Sequence, residues 1–82
     1  MTNRYPAATA EFRARPGQPL NHMEVDILRR LAAGDSDNQI ARALEISTRT
    51  YRRYLTATMR KLGARTRAHA VAIALTGRII AP

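Results

Sequence analysis

The sequence predicts an all-α fold of four helices behind an N-terminal tail, and three observations predict it. Apolar residues recur at three- and four-residue spacing in four stretches, with no run alternating at the period of a strand. Each stretch opens on Asn, Ser or Thr, and three of the four close on Gly. Finally, 82 residues with no cysteine allow one domain whose stability comes from helix packing or a partner chain, not from disulfides.

Residues 1–19 contain Pro6, Pro16, Pro19 and Gly17, and their apolar Tyr5 and Phe12 follow no period. They read as a flexible tail, leaving 20–82 as the domain. Asn21 is placed as an N-cap, with Glu24 three residues on completing a capping box. In the helix that follows, Ile27, Leu28 and Leu31 share one face, and Gly34 stops it. Ser36 and Gln39 make a second capping box, with Asp37 suited to the positive helix end. Ile40, Ala41 and Leu44 then give a short stripe before Glu45, Ile46 and Ser47 turn the chain. Ser47 caps the longest periodic run, Thr48 to Leu62, in which Tyr51, Leu55, Thr58, Met59 and Leu62 fall on one face. Gly63 closes it. Thr66 caps a fourth helix, Arg67 to Thr76, ended by Gly77 and followed by Ile79 and Ile80. A short helix, a tight turn and a longer basic helix specify a helix-turn-helix.

The charge is unevenly placed. The net charge is +8, yet every acid (Glu11, Glu24, Asp26, Asp35, Asp37 and Glu45) lies at or before Glu45, where bases cancel acids. Arg49, Arg52, Arg53, Arg60, Lys61, Arg65, Arg67 and Arg78 therefore carry the whole excess, as expected of a surface that meets a polyanion. On the third helix Arg49, Arg52, Arg53, Thr56 and Arg60 fall on one face, turned away from Tyr51, Leu55 and Met59. Like charges so arranged repel by a few tenths of a kcal/mol per pair. DNA phosphates offset that repulsion, and the guanidinium fork matches the O6/N7 edge of guanine. Arg49, Arg52, Arg53 and Thr56 are thus candidate base contacts, and Arg60 a candidate phosphate contact. Ser47, Thr48 and Thr50 stand at the helix N-terminus, where free N–H groups and the dipole suit a phosphate. Capping and closure of the first turn account equally well for Ser47 and Thr50.

A single module of this size buries only about 600–1,000 Å² on DNA, which is a motive for pairing. Ala70, Val71, Ala74 and Leu75 are the candidate dimer surface, with Val71 and Leu75 also suited to the core. Other classes find little support. Residues 1–12 hold no apolar signal core, and 68–77 fall far short of the roughly 18 apolar residues of a membrane span, so a soluble cytoplasmic chain is expected. His22 and His69 share no ligand spacing, and the sequence holds neither a cysteine nucleophile nor a glycine-rich phosphate loop. No metal, cofactor or enzymatic activity is expected.

Leu20 to Ile80 resembles the DNA-binding domain of the LuxR/GerE family of bacterial transcription regulators. The resemblance rests on an ordered, ungapped set: Glu24 to Leu28, Leu31-Ala32-Ala33-Gly34, Gln39-Ile40-Ala41-Arg42-Ala43-Leu44, Ile46 to Tyr54, Lys61-Leu62-Gly63 and Arg67 to Ala74. It implies that the Thr48–Leu62 helix enters the major groove of double-stranded DNA. Positions matching Arg52, Arg53 and Thr56 would face base edges, those matching Thr50, Tyr54 and Lys61 phosphates, and the fourth helix would join two domains as a homodimer acting on nucleoid DNA. Asn21, Met23, Tyr51 and Tyr54 depart from the family's Thr, Arg, Val and His, so a target sequence does not carry over. Regulators of this family place a receiver or ligand domain ahead of the helix-turn-helix; here only residues 1–19 precede it, and Met1 favours a stand-alone reader over an excised domain. The competing reading is an adaptor that uses the same fold to bind RNA polymerase or another regulator.

Overall fold

A computed structural model describes residues 14–82. Among them the chain forms four helices and no strand: α1 (His22–Ala32), α2 (Asp37–Ala43), α3 (Thr48–Leu62) and α4 (Arg67–Thr76). All four N-caps fall where the sequence places them. The Asn21 side chain accepts from Glu24 N–H, while the Glu24 carboxylate accepts from Asn21 N–H, each at 2.9 Å. Ser36 and Gln39 repeat the reciprocal pair, and Ser47 and Thr66 accept from Thr50 N–H and His69 N–H. These bonds satisfy donors that the first helical turn leaves without a partner.

The helix ends are less uniform. Gly34 N–H bonds to Leu31 C=O and Asp35 N–H to Arg30 C=O, the paired bonds of a Schellman stop. α2 stops in the same way, but its left-handed residue is Glu45 (φ 57°). At the end of α4 the left-handed residue is Arg78 (φ 58°), whereas Gly77 keeps a right-handed φ of −80°. The reversal thus comes one residue later than the glycine suggests. A side chain at position 77 would bring a Cβ to 3.1 Å from the Ile73 carbonyl, so Gly77 serves the close packing of this stop and Arg78 its turn.

The core has two clusters. Met23, Ile27, Ile40, Ala41, Tyr51, Tyr54 and Leu55 join α1, α2 and α3; Leu28, Ala70, Ala74 and Ile80 join α1, α4 and the C-terminal segment. Met59 packs against both. Tyr51 is fully buried, filling with a ring the position that the family resemblance would give to valine.

Residues 1–13 of the expected tail lie outside the described residues. Ala14–Pro19 forms a turn closed by Gln18 N–H on Arg15 C=O, with Gly17 at φ 87°, the left-handed position that a Pro-Gly turn of type II requires. Gly17 N–H also bonds to Lys61 C=O at 2.9 Å, docking this turn on the end of α3, and Ala14 is buried.

Candidate nucleic-acid interface

The helix pair α2–α3 is clamped at its turn. Thr48 Oγ1 donates to Asn38 Oδ1 at 3.3 Å, and Ser47 Oγ donates to Thr50 Oγ1 at 3.0 Å. One step deeper, Arg67 at the start of α4 grips Asp37 at the start of α2 with two bonds, 2.6 and 2.9 Å. That pair of hydrogen bonds holds the Asp37 carboxyl below the usual carboxylate range, and the Arg67 charge and the nearby Arg52 act in the same direction. The buried Tyr51 hydroxyl faces Asp37 without closing a well-formed hydrogen bond. Burial first, and the Asp37 charge second, push its pKa up to about 12. Three helices are thereby tied at the amino end of α3.

The outer face of α3 keeps the pattern that its spacing predicts. Arg49, Arg52 and Arg60 are exposed, Arg53 and Thr56 half-buried, and the helix has no acid. Thr56 Oγ1 donates to the Arg52 carbonyl at 3.0 Å, leaving its oxygen able to accept. Ser47 is exposed and Thr48 and Thr50 are half-buried at the amino end, beside the arginines. These eight positions lie along α3 and at its amino end.

The other six candidates lie elsewhere. Tyr54 is 2% exposed and its hydroxyl is out of reach of solvent, so it belongs to the core and not to the phosphate-facing set. Its place follows from periodicity: Tyr54 is three residues from Tyr51 and four from Thr58, on the buried face. Lys61 Nζ lies 2.7 Å from Glu24 Oε1, the oxygen that also accepts from Asn21 N–H. With side chains 16% and 1% exposed, this is an internal ion pair joining α3 to α1, and the Lys61 charge is directed inward. The signal for it was Glu24 itself, an acid three and four residues before Ile27 and Leu28 on the core face, which needs a cation. Ala70 and Ala74 are wholly buried against Leu28 and Ile80, so they are unavailable to a second chain. Their smallness lets α1 and α4 approach. Val71 and Leu75, also suited to the core, are both half-buried, and Leu75 packs against the second core cluster.

A short helix locked by its turn to a longer one, whose outer face carries four arginines and no acid, defines a helix-turn-helix domain of the DNA-binding class. The family model for bacterial regulatory proteins of the luxR family (GerE) matches residues 18–74, and the chain belongs to that family. No curated protein and no solved structure matches it. Among the described residues, no helix is long and apolar enough to cross a membrane.

Proposed function

We propose that the chain is a sequence-specific transcription regulator that lays α3 in the major groove of double-stranded DNA. The observation that carries this reading is the arginine face of α3 in a family of DNA-binding regulators. Arg49, Arg52, Arg53 and Thr56 supply the base contacts, where an arginine bidentate to guanine is worth about 1–3 kcal/mol of discrimination. Ser47, Thr48, Thr50 and Arg60 line the phosphates. Two copies pair through the half-exposed Val71 and Leu75 with the exposed Ala68 and Ala72 of α4, reading an inverted repeat on bacterial nucleoid DNA.

Selection of bound duplexes from a random library at fixed salt tests the reading. The expected outcome is a two-fold repeat of constant spacing. Against the selected site, Arg52→Ala relaxes preference at one position of each half by about 1–3 kcal/mol. Equal loss on every sequence would count against base reading. Salt-sensitive capture of acidic protein with no shift of any DNA would point to the adaptor instead.

A further inference from the structure

The turn ahead of α1 stands on the same side of α3 as the residues assigned to DNA. Ala14 and Pro16 form one wall of an open depression of about 610 Å³, and Thr56, Met59 and Arg60 form the other. Thr56 and Arg60 belong to the arginine stripe, so the first half of the turn flanks that stripe, while Gly17–Pro19 line a second depression with Val25, Lys61 and Ile79. It is also firmly built. Gly17 N–H bonds to Lys61 C=O at 2.9 Å, Arg15 N–H to Gln18 Oε1 at 2.7 Å, and Gln18 N–H to Arg15 C=O at 3.2 Å. Arg15 is exposed and enters no ion pair among the described residues. The acids described there are engaged elsewhere: Glu24 by Lys61, Asp26 and Asp35 by Arg30, and Asp37 by Arg67, while Glu45 lies in the α2–α3 turn.

We propose that Arg15 is a DNA-phosphate contact outside the helix-turn-helix, carried beside the carboxyl-terminal half of α3 on the turn Ala14–Pro19. The inference rests on α3 being the recognition helix. A phosphate wall of the groove that receives Thr56 and Arg60 passes this edge, where a guanidinium on a preformed turn meets it with little further ordering of backbone. The contact carries no sequence information, and it draws on the half of the sequence whose charges cancel.

The full chain binding DNA over a range of salt concentrations is the test. Each phosphate contact contributes about 0.9 to the slope of log affinity against log salt, so Arg15→Ala lowers the slope by that amount and weakens binding roughly eightfold at 0.1 M salt. The loss is the same on selected and random duplexes, and Arg15→Lys retains the slope. Arg29→Ala, which removes an exposed charge on α1 away from this depression, leaves the slope at the wild-type value. Since the Arg15 side chain makes no hydrogen bond within the described residues, thermal unfolding of the Ala variant stays unchanged. A wild-type slope for Arg15→Ala, with Arg52→Ala still relaxing base preference, overturns this proposal alone. Absence of DNA binding by the wild-type chain overturns the regulator reading with it.

Discussion

An ion pair lies beside each end of α3, one joining α2 to α4 near its amino end and one joining α3 to α1 near its carboxyl end, and the pairs differ in kind. At the amino end Arg67 and Asp37 meet with side chains 50% and 22% exposed; at the carboxyl end Lys61 and Glu24 meet at 16% and 1%. The first is bidentate yet screened by water, so it fixes orientation more than it adds stability. The second encloses a carboxylate that has no route to solvent, so loss of its cation is costly whatever the pair contributes on balance. The amino end of α3 is therefore flanked by a contact that works through geometry, and its carboxyl end is held by the need to neutralise a buried charge.

Lys61→Met gives the largest effect. It strands Glu24 and should lower unfolding free energy by about 3–5 kcal/mol in denaturant titration. Adding Glu24→Gln, which keeps an acceptor for Asn21 N–H, should recover most of the loss. A small effect of Lys61→Met would mean that Glu24 reaches water and that the two ends are alike. Arg67→Gln at the other end should cost only about 0.5–1 kcal/mol, the discount reflecting its exposure.

The amino end should also respond to acid. Asp37 has a folded pKa below its unfolded value, so its contribution is fully present above the unfolded value of about 3.9 and is lost as pH falls through the folded one. Chemical denaturation of wild type and Asp37→Asn should therefore differ near neutrality and converge as the pH drops below about 4. Curves that stay parallel through that window would remove the Arg67–Asp37 bond as the cause. The smallest effect is expected in the turn that leads into α3. Glu45→Gly relieves a left-handed conformation but loosens the unfolded chain, for a net gain of up to about 1 kcal/mol in melting experiments.

Local chemistry was legible in the sequence. Asn21, Ser36, Ser47 and Thr66 cap as their spacing to the next polar residue predicts, because a cap involves only one turn of chain. The arginine face of α3 was legible too, since Tyr51, Leu55 and Met59 define the opposite side. α4 was not. Its Ala70, Val71, Ala72, Ile73, Ala74 and Leu75 are apolar nearly all round, so periodicity selects no face, and the close approach of α1 to Ala70 and Ala74 decides it. Lys61, which the family resemblance gives to phosphate, pairs instead with Glu24, 37 residues away on another helix, a separation that pattern alone does not bridge. Arg78, not Gly77, turns the chain after α4 because Ile80 must reach Leu28, a tertiary demand that overrides glycine's local preference.

Met59 is the apolar side chain common to both core clusters. A flexible thioether can follow small rearrangements on either side, so movement in the cluster that carries α4 is passed to the cluster that carries α2 and α3 without a gap opening between them. The expected consequence is that the two halves of the interior melt in one cooperative transition, with α4 not peeling away ahead of the helix-turn-helix.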